Sequence, residues 1–125
     1  MQVAFFWAAT IISVVTFFVH TFIGGPRVAA PLLENSSLPK ASKWLNYYCW
    51  HITTLYTLFM GAAYAFVALH PDRPELAVFL TVLNTALSLL SVAVALKGGV
   101  NPFRFPSTSL FATVAMLGLL GLLFN

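Results

Sequence analysis

Charge is what this sequence has least of. Only nine of its 125 residues are charged, six Lys or Arg and three Asp or Glu, whereas a soluble domain needs roughly a quarter of its residues charged to cover its surface. That scarcity excludes an ordinary water-soluble globule. The nine are Arg27, Glu34, Lys40, Lys43, Asp72, Arg73, Glu75, Lys97 and Arg104, and all fall between long apolar runs. Cys49 is the single cysteine, which excludes an internal disulfide and a multi-cysteine metal site within one chain. No apolar run holds a carboxylate base, or a nucleophile with its partner, so an intramembrane enzyme is the least favoured class. The N-terminus lacks a basic n-region and a small-residue cleavage site, so the first run is expected to stay as a helix. Tandem repeats and low-complexity tails are missing too, and one domain, residues 1–125, is enough.

What is present is hydrophobic: 60% of the residues, with a mean hydropathy of +0.91. At 1.5 Å rise per residue, about 20 residues cross the hydrocarbon core. Four runs meet that length, at about 3–24, 44–69, 76–96 and 106–124. In lipid every backbone polar group must be paired internally, and runs this long and apolar are not barrel strands. The predicted fold is therefore an all-α, four-transmembrane-helix bundle. Gly24, Gly25 and Pro26 are expected to stop the first helix, leaving a polar and mobile first loop around Glu34, Asn35, Ser36, Ser37 and Pro39. His70, Pro71 and Asp72 stop the second helix. Pro74 and Glu75 open the third, which ends at Lys97, Gly98 and Gly99, and Pro106 opens the fourth.

The loops after the first and third runs lie on one side and hold Arg27, Lys40, Lys43, Lys97 and Arg104, five of the six basic residues. The positive-inside rule puts that side in the cytoplasm and both termini outside, an N-out/C-out topology. The net charge of +3 is thus explained by orientation, and nucleic acid is not an expected partner. The lipid bilayer is. Trp44, Tyr47, Tyr48 and Trp50 cluster where the second helix enters the membrane, as an aromatic belt does.

Polar residues inside the runs fall at helical spacing: Ser13, Thr16 and His20; Tyr47, His51 and Thr54; Thr81, Asn84, Ser88 and Ser91; Ser109 and Thr113. Each set is expected to face inward, while Phe5, Phe6, Phe18 and Phe22 are candidates for lipid. Such stripes serve either to pack helices closely or, in a small oligomeric transporter or channel, to line a path. Gly118 and Gly121 with Ala115 give a small-residue surface for a neighbouring helix, in the same chain or in a second copy.

His20 and His51 stand out, because ionisable residues in membrane helices mark cofactor, proton or ion sites. Counting from the helix ends puts both at similar depth near the cytoplasmic face. A neutral imidazole suits haem b or a transition metal, and Arg27 suits an anion near the headgroups. Two histidines alone make an incomplete metal shell. The Gly24-Gly25-Pro26-Arg27 break reads as a helix stop, or as free amides that meet an anion or lipid head.

The His20-x3-Gly24 pattern followed by Trp50-His51 is similar to a group of small bacterial four-helix membrane proteins. It also bears a faint likeness to the copper resistance D family, whose membrane histidines precede a Trp-x-Gly-Gly-like break; Phe22 and Ile23 stand here before the glycine pair. The resemblance covers the first half of the chain and implies a bacterial inner (plasma) membrane setting without implying an activity. The function expected is that of a membrane binding protein, or a small subunit of a homo-oligomer or larger membrane complex. Its site would be framed by His20 and His51, for haem, metal, quinone or a lipid headgroup.

The orientation is checked with single cysteines introduced into a Cys49→Ser background. A cysteine at Asn125 should react with an impermeant reagent outside intact cells, and one at Ser36 should not. The opposite pattern would invert the topology.

Overall fold

The computed structural model describes residues 1–124, and four of its helices are long and apolar enough to cross a membrane. They are α1 (Gln2–Glu34), α2 (Lys40–Leu69), α3 (Pro74–Lys97) and α4 (Pro106–Leu123). A short 3-10 turn, Pro102–Arg104, precedes α4. Among the described residues there is no strand. The fold is an all-α bundle in which sequence neighbours run antiparallel. α1 packs along both α2 and α4, α3 packs along α4, and α2 with α3 makes the slightest of these helix interfaces.

The helices start and stop where their chemistry allows, with one exception. Pro74 and Glu75 open α3 and Lys97 closes it, each favourable to the helix dipole. Gly99 then takes the left-handed conformation at φ 66°, which only glycine adopts without strain, and Val100 N–H returns to the Ala95 carbonyl at 2.9 Å. Pro106 opens α4.

The exception is α1. Gly24, Gly25 and Pro26 do not end it; residues Val19–Ala29 wind as a π-helix, and an α-helical turn, Ala30–Glu34, completes the element. In a regular α-helix the ring of Pro26 would clash with the carbonyl four residues back and leave that carbonyl without its donor. The wider π register shifts pairing to the fifth residue back, as in the bond from Ala30 N–H to the Gly25 carbonyl. The expected long loop therefore shrinks to residues 35–39. Its turn is held by Asn35 Oδ1, which accepts from the Ser37 amide (2.9 Å) and hydroxyl (2.7 Å). The Lys43 ammonium donates to the Leu33 carbonyl at 2.9 Å, satisfying one of the free carbonyls at the end of α1. α2 likewise begins at Lys40, one turn earlier than the apolar run.

The core joins Phe6 and Ala9 of α1, Met60, Tyr64, Val67 and Ala68 of α2, Ala77 and Leu80 of α3, and Phe111 and Val114 of α4. Phe6 is fully buried rather than turned to lipid, because Gly121 leaves a hollow in which its ring sits. Phe18 and Phe22 are exposed as expected and stack on each other at 5.7 Å, while Phe5 is half-buried against Phe124. Gly118 makes the same kind of room for the Tyr64 and Thr81 hydroxyls. The small-residue face of α4 therefore serves contacts within the chain.

Gly121→Ala should overpack Phe6 and lower the unfolding midpoint in detergent, by about 1–3 kcal/mol of stability. Gly25→Ala is the contrast, because a methyl group there meets nothing within 4 Å. Equal midpoints for the two variants would contradict this packing.

Candidate functional site

At the end of the bundle that carries the two basic connections, α1, α2 and the start of α4 enclose a cavity of about 530 Å³. Its position follows from helix length. α1 and α2 have 33 and 30 residues and α4 only 18, so at about 1.5 Å per residue the first pair extends well past the start of α4. The wall that α4 cannot supply is completed by Arg104, Phe105 and Pro106. The lining is apolar over Val19, Ile23 and Val28 of α1 and Leu110 and Phe111 of α4, with Thr16, Thr53, Thr57 and Ser107 among them.

One wall is an interlocked unit of the motif residues. The His20 ring stacks on Trp50 at 4.0 Å and 20° between planes, and its Nε2 is 3.1 Å from the Trp50 carbonyl oxygen. A carbonyl oxygen only accepts, so Nε2 carries the proton and donates. This is the one hydrogen bond of the imidazole within the described protein, which leaves Nδ1 without a protein partner. Gly24, four residues further on, lies under the edge of the same indole; a methyl group there would stand 2.9 Å from Trp50 Cη2. Hence the glycine is needed for Trp50 to lie flat against α1.

Two cations line this cavity, Arg27 from the π-helical segment and Arg104 from the turn before α4, both solvent-exposed. Among the described residues neither has a carboxylate within ion-pairing distance; the single such pair is Arg73 with Asp72 at 3.9 Å, both largely exposed. Because no side chain caps the start of α4, its first-turn amides add partial positive charge. That first turn is pinned to α3 by Ser91 Oγ, which is 2.8 Å from both Ser107 Oγ and Thr108 Oγ1, and by Ser88 Oγ donating to the Thr108 carbonyl at 2.9 Å.

The two sequence-selected histidines do not meet in this cavity. The residue of α2 that faces His20 is Trp50, and His51, about 100° further round the helix, is exposed with its ring edge-on to Tyr47 at 4.5 Å. Among the described residues no group of three or more His, Cys, Asp or Glu side chains comes together, and His20 is the one imidazole among the lining residues of the cavity. Cys49 is exposed.

The polar stripe divides as well. Ser13, Thr16, Asn84 and Ser91 are buried, as expected of inward faces. Ser13, Thr16, Thr54 and Asn84 each donate to the carbonyl four residues back in their own helix. Ser109 and Thr113 point away from the core, because α4 buries the face made by Thr108, Phe111, Val114, Ala115, Gly118 and Gly121. Of the stripe, Thr16 and His20 line the cavity; Thr81 and Ser88 border a separate shallow groove of about 230 Å³ between α3 and α4. Sequence reasoning missed Trp50 as the partner of His20, and Arg104 as the second cation. The same-side placement of Arg27 and Arg104 was the available signal for the latter.

A double-mutant cycle on unfolding in detergent checks the arrangement. His20→Ala and Trp50→Ala should couple by about 1 kcal/mol, as stacked and bonded neighbours do. The His20→Ala and His51→Ala pair should couple less; a larger value there would mean that the histidines share a contact. No family model matches this chain, and no curated protein or solved structure matches it either.

Proposed function

We propose that this protein is an integral membrane binding protein whose cavity between α1, α2 and α4 receives an amphiphile with an anionic headgroup. The observation that carries the reading is the pairing of two guanidinium groups, Arg27 and Arg104, each without a carboxylate partner among the described residues, with an apolar chamber of about 530 Å³. Volumes of this order are typical of small-molecule sites, which combine apolar walls with a few placed polar groups. A guanidinium presents a planar fork of donors suited to carboxylate and phosphate oxygens. Both arginines are solvent-exposed at the rim of the cavity, where they can meet an anionic headgroup whose apolar part enters the chamber. Val19, Ile23, Leu110 and Phe111 supply the surface for the apolar part of the same molecule. On the expected topology the cationic end lies at the cytoplasmic leaflet, where anionic lipids attract basic segments.

Native mass spectrometry of the protein purified in mild detergent should find a retained anionic amphiphile. An Arg27→Gln, Arg104→Gln double variant should lose its retention by about tenfold or more, because hydrogen bonds to charged groups contribute about 1.5–3 kcal/mol each. Arg73→Gln, at the opposite end of the bundle, should keep it. Equal retention by the double variant and the native chain would refute this function.

A further inference from the structure

We infer that the headgroup this cavity selects is a phosphate monoester, carried on a lipid, in preference to the phosphodiester of common anionic phospholipids. This rests on the anionic-amphiphile reading and adds the class of headgroup.

The first argument is charge. Arg27 and Arg104 line the cavity and no acidic residue does, so its fixed side-chain charge is +2. A phosphodiester carries one negative charge. A monoester carries about 1.5 to 2 at neutral pH, with a second pKa near 6, and so balances both guanidinium groups.

The second argument is the number and kind of hydrogen bonds. Arg27 of α1 and Arg104 of the turn before α4 each bring a guanidinium fork to the rim of the cavity, while the Ser107 hydroxyl is already engaged with Ser91. A monoester offers three unesterified oxygens to these donors, and a diester only two. His20 discriminates further. Its Nε2 is committed to the Trp50 carbonyl, so in the neutral ring Nδ1 is an acceptor, and it has no protein partner. A singly protonated monoester has a P–OH group to donate to that nitrogen; alternatively the proton sits on Nδ1 and the ring donates to the dianion. In either state one proton is shared between ring and phosphate. A diester at neutral pH has no such proton. Trp50, stacked on the imidazole, and Gly24 line the same cavity and fix the ring in place.

The third argument concerns the source of the phosphate. Val19, Ile23, Val28, Leu110 and Phe111 make most of the wall apolar, and a soluble phosphate compound would leave that surface uncovered. A lipid covers it with the first part of its chains.

The test uses the full-length protein in nanodiscs of phosphatidylcholine, doped in separate samples with phosphatidic acid or with phosphatidylglycerol of the same acyl chains. Bound lipid is read by native mass spectrometry after ejection. The expected result is at least tenfold greater occupancy by phosphatidic acid at equal mole fraction. That preference should be lost in Arg104→Gln, retained in part in Arg104→Lys, and reduced in His20→Phe, which keeps a ring against Trp50 but has no Nδ1. Equal occupancy by the two anionic lipids would overturn the monoester inference and leave the anionic-amphiphile reading standing. No enrichment of either over phosphatidylcholine would overturn both. Displacement of phosphatidic acid by millimolar inorganic phosphate or glycerol phosphate would overturn the lipid source and assign the site to a soluble phosphate.

Discussion

Hydrocarbon offers no hydrogen-bond partner to a peptide group, so a chain that crosses it must pair every amide and carbonyl within its own helices. The rest of this structure depends on how α1 meets that requirement at Pro26, where one amide proton is missing. Ending the helix there would leave several carbonyls free at the wall of the cavity. Winding into the π register moves pairing to the fifth residue back, relieves the clash between the proline ring and the preceding turn, and carries the helix on to Glu34. The same register sets which way Arg27 and Val28 face. It also turns Gly24 toward Trp50, and that contact seats the indole on the imidazole of His20.

The cavity is the consequence of mismatched lengths at this end. The long α1–α2 pair continues where α4 has not yet begun, and the 3-10 turn at Pro102–Arg104 fills only part of the space. Elsewhere the bundle is closed by small residues. Gly118 and Gly121 let Tyr64, Thr81 and Phe6 reach the α4 backbone, and this close approach replaces the hydrophobic drive that helices lack in lipid. A tightly packed half thus supports an open half, and the pinning of α4 to α3 through Ser88, Ser91, Ser107 and Thr108 holds the boundary between them. Arg104 hangs from that anchored turn, so its position relative to Arg27 is set by the bundle rather than by a free loop.

The buried polar groups are mostly accounted for within single helices, through hydroxyl and amide donors bonded to the carbonyl four residues back. Such bonds let Ser, Thr and Asn sit in an apolar interior at small cost, and they make a polar stripe compatible with a closed core. Among the described residues Gln2 Nε2, Thr21 Oγ1, Tyr56 Oη, Tyr64 Oη and Asn84 Oδ1 remain buried without a protein partner.

Composition and run length by themselves determined that the chain is an all-α bundle with four helices long and apolar enough to span, and where α3 and α4 begin. These follow from one-dimensional quantities: the count of apolar residues, the place of each charge, and the proline or glycine beside it. The inward burial of Ser13, Thr16, Asn84 and Ser91 was legible for the same reason, since helical spacing is a property of one helix. What only the tertiary structure decided depends on rotation between helices and on backbone register. Residue counting gives a depth, and at the depth of His20 it admits Trp50 or His51 equally; the turn of α2 about its axis selects Trp50 and leaves His51 exposed. Ser109 and Thr113 share a spacing with the buried face of α4 yet lie off it, because Gly118 and Gly121 are the side that Tyr64 and Phe6 require. The glycine-glycine-proline sequence carries the local signal of a helix stop, and the π register overrides it by accommodating Pro26 without breaking the helix. The joining of Arg27 with Arg104, some 77 positions apart in the chain, exists only because α1 extends past the start of α4.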